Sequence, residues 1–249
     1  MSNAYSESGA EVVTAGVMEI KTGKILAMST YPSFNPNERN ISTFNNYFLE
    51  GTIECGSVFK PFIYADSIEE GKYDHNAYYN SGSYNVYYGN KLVATIKDHN
   101  GGQGWGTITY DQGLYHSSNV AICNLLDQGY VTKDVLTEKL NDLGFFQGDT
   151  VDGLTCSSSI NAYTRKNAGR LEYLTTGFGQ GSTVTPYQLL KAYSVFGNDG
   201  KTVQPHIVDK VVNPETNKDC LSSNTEIFKN KSFTTKYNQS SKRFNVRCY

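Results

Sequence analysis

Apolar residues recur along this chain with two different periods, and the switches between them predict its elements. Val12 to Ile20 and Lys24 to Thr30 are short apolar runs on either side of Lys21-Thr22-Gly23, the pattern of a β-hairpin closed by a tight turn. Pro32, Pro36 and the asparagines around them predict a loop to about Asn46. After Gly56 the period lengthens: Phe59, Phe62, Ile63, Ala65 and Ile68 fall at helical spacing. A helix is therefore expected from Ser57 onwards, with Pro61 in its first turn, where a missing N–H costs little. Tyr84, Val86 and Tyr88 then alternate with polar positions, and Gly89-Asn90 is placed to turn the chain into Leu92 to Ile96, a second and smaller hairpin.

Helical spacing returns over Thr109 to Leu126 (Leu114, Val120, Ala121, Leu125) and over Thr132 to Leu143, where Gly144 ends it. A glycine- and serine-rich connection is expected from about Gly148 to Ser159, ahead of a loop into Leu174 to Gly181. Thr185-Pro186 is a helix start, since proline suits the first helical position, and Leu189, Leu190, Ala192, Tyr193 and Phe196 form the apolar face behind it. Gly197 to Gly200 stops that helix, and Val203 to Val212 has strand character. Beyond about Asn217 the chain turns polar, and after Glu226 its charges are all basic (Lys229, Lys231, Lys236, Lys242, Arg243, Arg247). The expected organisation is a folded region over 1–217 and a divergent, solvated tail over 218–249 that is disordered or not native.

Composition narrows the picture. At 249 residues and 38% apolar content the chain can bury a sizeable core. Charge is balanced, 22 Lys and Arg against 24 Asp and Glu, which gives no reason to expect a nucleic-acid partner. The five cysteines are scattered, with no Cys-x-x-Cys pair and no histidine at metal-ligand spacing, so neither a metal nor a disulfide framework is expected. No apolar run approaches the length of a membrane span, and the N-terminus lacks the charged-then-apolar signal pattern. Met1-Ser2-Asn3-Ala4 reads as an expression scar, and the natural protein is expected to extend upstream.

The candidate chemistry begins at Ser57, the one serine followed three residues later by a lysine. Residues three apart share a helix face, so the Ser57 hydroxyl and the Lys60 amine are expected to meet there. The positive end of the helix and partial burial both disfavour an ammonium, and a neutral lysine can take the serine proton. By itself Ser-x-x-Lys is a weak signal that matches many solvated helix starts. A serine nucleophile with a lysine base also needs a second hydroxyl to pass the proton and an amide to hold substrate. Ser117-Ser118-Asn119 offers both, at a helix boundary, although Ser-x-Asn recurs at Ser83, Ser159 and Ser222. A Ser-His-Asp arrangement using His116, His99 and Asp98 is a weaker reading, because Lys60 supplies a base without a distant contact. Trp105, between Gly104 and Gly106, either edges a substrate groove or anchors a loop, and hairpin packing suffices for the tyrosines of Tyr78 to Tyr88.

Taken in order, these motifs resemble the transpeptidase domain of penicillin-binding proteins, most closely the class B, monofunctional kind, over about Val12 to Pro214. The handover from Gly23-Lys24-Ile25-Leu26-Ala27-Met28 to Pro32-Ser33-Phe34-Asn35-Pro36 belongs to the likeness. So do Phe59-Lys60-Pro61-Phe62, and Gly177-Phe178-Gly179-Gln180-Gly181 followed by Thr185-Pro186-Tyr187-Gln188-Leu189. The resemblance implies an α/β (α+β) fold like that of penicillin-binding proteins and serine β-lactamases: a mixed sheet flanked by helices, plus an all-helical lobe. It implies that Ser57 is acylated, Lys60 is the base, Ser117 relays a proton to the leaving amine and Asn119 binds the donor amide. Gly179, Gln180 and Gly181 would bind substrate, and the Ser57 N–H would give half of an oxyanion hole. The implied reaction is D,D-transpeptidation of peptidoglycan stem peptides ending in D-Ala-D-Ala, with β-lactams trapping the serine and no cofactor. Implied too are other cell-wall synthesis proteins as partners, an upstream membrane anchor and work on the extracytoplasmic face of the bacterial membrane.

Two departures accompany the likeness. The family's third motif, Lys-Thr-Gly on a late strand, has no match after Pro205, so the fold is expected to be C-terminally incomplete through a shortened chain, a shifted reading frame or a divergent end. Lys21-Thr22-Gly23 spells the triplet but lies in the first hairpin turn and reads as a chance match. Cys55 replaces the usual proline before the catalytic glycine and is expected to be a small buried filler. Two alternatives therefore stay open: an inactive or fragmentary relative that only binds, and a serine β-lactamase or β-lactam sensor domain.

Overall fold

The computed structural model describes residues 1–38, 44–222 and 233. In chain order these form helix α1 (Ser2–Ser8), strands β1 (Val13–Met18) and β2 (Ile25–Tyr31), and helices α2 (Tyr47–Glu50) and α3 (Lys60–Glu69), the last entered through a 3-10 turn at Gly56–Phe59. Strands β3 (Tyr78–Asn80), β4 (Ser83–Tyr88), β5 (Lys91–Lys97) and β6 (Thr107–Thr109) lead to helices α4 (Tyr110–Tyr115), α5 (Asn119–Asp127) and α6 (Lys133–Asp142). The chain continues through β7 (Asp149–Val151), β8 (Leu154–Cys156), α7 (Arg170–Thr176), α8 (Pro186–Gly197), β9 (Lys210–Val212) and β10 (Asp219–Ser222). Two compact units result: Met1–Ile53, Asn141–Ser159 and Val184–Ser232 make the first, and Glu54–Leu140, Ile160–Thr183 and Phe233–Tyr249 the second.

In the first unit β1 and β2 pair antiparallel from Val13↔Tyr31 to Met18↔Ile25, with a bulge between Val17 and Met18. Gly16 is required here, because a Cβ on it would lie 2.4 Å from the Phe48 ring. Ile25, Phe48, Leu49, Val151, Cys156 and Tyr187 form the core beneath the ribbon. Each large apolar side chain so buried contributes about 1.5–3 kcal/mol. Helix α8 begins as its sequence predicts: Thr185 and Gln188 form a reciprocal capping box and Pro186 follows the cap. Lys191 on α8 is almost buried, and its ammonium reaches Asp149 at 2.7 Å and Gln204 at 2.9 Å, tying β7 to the helix.

The second unit is built on α3 and α5, both almost wholly buried. Phe62, Ile63, Tyr64, Ala65 and Ile68 line α3, and Val120, Ala121, Ile122, Cys123, Leu125 and Leu126 line α5. Gly177 lets the turn after α7 close onto α5, since a Cβ there would come within 2.7 Å of Leu126 and Ile122.

The α+β class holds, and several details differ from the sequence expectation. The described strands pair as five two-stranded antiparallel sheets, with one parallel bridge, Lys24↔His206. The helix-rich unit also carries two of these ribbons, β3–β6 and β4–β5. The expected helix over Thr109 to Leu126 is interrupted at residues 116–118. The glycine- and serine-rich connection contains the β7–β8 hairpin, turned at Asp152-Gly153, and the loop before Gly181 contains α7. Strand character over Val203 to Val212 is confined to β9 and isolated bridges, and α1 precedes the first expected element. Strand β10 pairs with β9 beyond Asn217. The tail expectation for residues 223–249 otherwise lies outside the described residues, apart from Phe233, which is buried.

Candidate active site

Every residue singled out for chemistry around Ser57 falls in the second unit. Gly56 takes a left-handed φ of +63° and turns the chain into the 3-10 turn that carries Ser57, which is exposed. Behind that turn lies Gly179, at φ +76°. The Gly56 N–H donates to the Gly179 carbonyl at 3.0 Å, and a Cβ on Gly179 would sit 2.2 Å from the Gly56 carbonyl oxygen. Glu54 reinforces the contact by accepting from the Gly181 N–H at 3.0 Å. Gly179, Gln180 and Gly181 thus form a turn that backs the Ser57 segment, with Gln180 and Gly181 exposed beside it.

Lys60, one helical turn after Ser57, is 2% exposed. Its Nζ donates to the Ser117 carbonyl oxygen through a short hydrogen bond and to Ser117 Oγ at 3.1 Å. Burial pulls the Lys60 ammonium down to about 8, against the opposing pull of Asp98. About one Lys60 in ten is therefore a neutral amine at pH 7. Among the described residues both hydrogen bonds of Nζ go to Ser117, and the Ser57 hydroxyl makes none. Lysine and second serine are brought together, while the nucleophile candidate waits unengaged on the same helical face.

Ser117 owes its place to the end of α4. The Ser117 N–H donates to the Leu114 carbonyl and the Ser118 N–H to that of Gly113, the paired bonds of a Schellman cap, and Ser117 occupies the left-handed position at φ +52°. Glycine usually fills that position, and a serine there stores about 1–3 kcal/mol of backbone strain. Ser118 then caps α5 by accepting from the Ala121 N–H at 3.0 Å. Asn119 opens α5 and donates from Nδ2 to the Lys97 carbonyl at 2.9 Å, leaving its Oδ1 uncommitted to that bond.

Sequence reasoning names Asp98 only in the weaker Ser-His-Asp reading, and the structure gives it another place, against Ser118 and the start of α5. It is 2% exposed, and its carboxylate accepts from Ser118 Oγ at 2.9 Å, the Val120 N–H at 3.1 Å and the Gly82 N–H at 2.8 Å. The Ser-His-Asp reading finds no support: the exposed His116 ring lies flat on Trp105, centroids 4.4 Å apart and planes 12° apart, and His99 flanks the same indole at 5.4 Å. Trp105 also donates its backbone N–H to Ser81 Oγ at 2.6 Å, so the indole anchors its loop. Tyr84 is held by Arg170 and Asp127, whereas Tyr78 and Tyr88 are exposed.

Lys21, Thr22 and Gly23 lie in the other unit, in the β1–β2 turn, where Lys21 is 3.9 Å from Asp199 and the Thr22 hydroxyl donates to Glu19. Cys55 is half-buried, and burial pushes its thiol up to about 12, which leaves it neutral and unreactive at neutral pH. Among the described residues no cluster of three or more His, Cys, Asp or Glu could hold a metal ion, and no helix is long and apolar enough to cross a membrane.

Comparison with known proteins places the chain in a family. The family described as the penicillin binding protein transpeptidase domain matches residues 13–241. Stage V sporulation protein D of Bacillus subtilis (strain 168) is 30% identical over 224 residues, covering 88% of this chain and 33% of that protein. Peptidoglycan D,D-transpeptidase FtsI of Escherichia coli (strain K12) is 26% identical over 219 residues, covering 86% and 35%. The chain thus spans about a third of the length of the curated relatives it matches. In fold it is similar to the apo transpeptidase domain of Burkholderia pseudomallei penicillin-binding protein 3, with a TM-score of 0.72 at 21% identity, over 96% of this chain and 62% of that one.

Proposed function

Because this chain belongs to the penicillin-binding protein transpeptidase family, we propose that it is a peptidoglycan D,D-transpeptidase domain that forms an acyl-enzyme at Ser57. One observation carries the reading: Lys60, three residues from an exposed serine, is buried and partly neutral, and its Nζ lies on the Ser117 hydroxyl.

In the proposed first step Ser57 Oγ attacks the carbonyl of the D-Ala-D-Ala peptide bond and gives its proton to neutral Lys60. The tetrahedral intermediate then collapses, the C–N bond breaks, and the departing D-alanine amine takes a proton from Lys60 through Ser117. An ester at Ser57 remains. In the second step an amine from a neighbouring strand attacks that ester, the ester C–O bond breaks, and the attacking amine's own proton passes through Ser117 and Lys60 to Ser57 Oγ. Asn119 holds the donor peptide amide and the Ser57 N–H polarises the carbonyl. The Gly179-Gln180-Gly181 turn orients Ser57 from behind and offers Gln180 to the donor peptide. A β-lactam carbonyl would be attacked in the same way, with the opened ring kept on the serine. The domain would act on the extracytoplasmic face of the bacterial membrane beside other cell-wall synthesis proteins.

Labelling with a fluorescent penicillin tests the reading: labelling is expected for the native chain and lost in Ser57→Ala. Equal labelling of both proteins sinks the nucleophile assignment. A second reading, in which Ser57 acylates without turning over or the chain only binds, predicts no turnover of a thioester substrate. Ser57-dependent turnover of a thioester substrate would reject that second reading.

A further inference from the structure

Asp98 does more than its local geometry requires. A single helix cap is already present in Ser118, whose Oγ accepts from Ala121. Taking a carboxylate out of water to satisfy one further amide would cost more than it returns, unless the charge has additional donors or a cation to serve. Here one oxygen takes both the Ser118 hydroxyl and the Val120 N–H, which fixes the direction in which Ser118 points its lone pair. The other oxygen takes the Gly82 N–H, while the Asp98 backbone N–H returns to the Gly82 carbonyl at 2.9 Å. Asp98 is therefore anchored to the start of β4 on one side and to the start of α5 on the other. Its neighbour Lys97 receives the Asn119 amide, so the whole Ser117-Ser118-Asn119 segment is indexed to residues 97 and 98.

We propose that Asp98 is a positioning residue of the acylation centre, holding the Ser117-Asn119 turn, and with it the Ser117 groups that Lys60 contacts, in register through Ser118 and Val120. The proposal deepens the reading of Ser57 and Lys60 as nucleophile and base and rests on it. The remaining titratable groups around the pair are Cys123 on α5, Tyr64 on α3 and Tyr79 on β3. Burial raises all three, so they stay neutral through the working pH range. Asp127 and Arg170, which face Cys123, are bound to each other, and Asp111, which faces Tyr64, is held by Tyr73 and His75. Asp98, held beside the Ser117 turn that Lys60 contacts, is the carboxylate that opposes the effect of burial on the Lys60 ammonium.

The test uses the full chain as native protein, Asp98→Asn and Ser118→Ala, with three readouts: the Lys60 titration midpoint by NMR of labelled lysine, amide exchange at Val120 and Ala121, and the rate of labelling by a fluorescent penicillin against pH. In Asp98→Asn the Lys60 midpoint is expected to fall by roughly one pH unit, the Val120 amide to exchange at least about tenfold faster, and the acidic limb of the labelling profile to move down with the midpoint. A role in packing alone would lower the rate at every pH and leave the midpoint where it was, and that result overturns the proposal. If Asp98→Asn does not fold, Ser118→Ala decides. It keeps the charge, so the midpoint should hold while the labelling rate falls about tenfold with the lost register; an unchanged rate and unchanged exchange overturn the proposal. A native chain that is not labelled at all sinks the acylation reading, and the titration and exchange results still decide the role of Asp98.

Discussion

Lys60 and Ser117, 57 residues apart in sequence, meet through two hydrogen bonds from one nitrogen, to the serine carbonyl and to its hydroxyl. The lysine is thereby aimed while its charge is disfavoured by burial. Labelling of Ser57 should depend on the neutral amine, so its rate should rise with pH about tenfold per unit and level off near 8, as Lys60 deprotonates. Measuring the rate of penicillin labelling across this range checks the dependence. Lys60→Arg should remove the limb and nearly all labelling, because guanidinium stays protonated; a surviving limb of the same midpoint would assign the base elsewhere.

Ser117 separates backbone cost from chemical use. At φ +52° the position favours glycine. Ser117→Gly should be about 1 kcal/mol or more stable than Ser117→Ala in denaturant unfolding. Both should label poorly, since neither offers Lys60 a hydroxyl. Equal stabilities would mean that the left-handed conformation is not held in solution.

Gly179 has no room for a side chain, with the Gly56 carbonyl 2.2 Å from where a Cβ would stand. Gly179→Ala should force the two turns apart, costing roughly 1–3 kcal/mol of stability and lowering Ser57 labelling at least about tenfold. A Gly181→Ala variant provides a comparison: a Cβ at Gly181 meets nothing closer than 3.4 Å, so the cost there is confined to its positive φ. Labelling by Gly179→Ala at the native rate would show that the Ser57 turn does not depend on this contact.

Asp66 lies on α3, fully buried, and among the described residues neither carboxylate oxygen has a hydrogen-bond partner. Burial holds its pKa well above the usual carboxylate range, with Lys139 pulling weakly the other way. Since the folded value exceeds the unfolded one, the unfolded chain loses this proton first. Asp66 therefore favours folding fully below its unfolded value, near 4, and that contribution is lost as pH rises towards the folded value. Asp66→Asn should flatten the decline. Urea unfolding at mildly acid and mildly alkaline pH measures it, and an identical decline in both proteins would place the titrating group elsewhere.

Local rules reached some of this structure directly. The first hairpin follows from alternation around a glycine turn, and α8 from Thr185, Pro186 and Gln188. The break inside Thr109 to Leu126 was hidden because Leu114, Val120, Ala121 and Leu125 keep helical spacing across it, and the left-handed residue is a serine. The β7–β8 hairpin is only three residues per strand, too short for a period to show. Asp98 reaches Ser118 from 20 residues upstream, and nothing in the local pattern at either end marks the pairing. Tertiary contact, not propensity, selects that carboxylate.

The backbone contact between Gly56 and Gly179 also bears on how this sequence can evolve. Every single-base change that alters a glycine codon introduces a side chain or a stop, so no small step away from Gly179 avoids the carbonyl in its path. A lineage under β-lactam pressure would have to change other positions first. Saturating codon 179 and selecting for Ser57 labelling should return glycine alone; recovery of alanine at native labelling would show that the path is open.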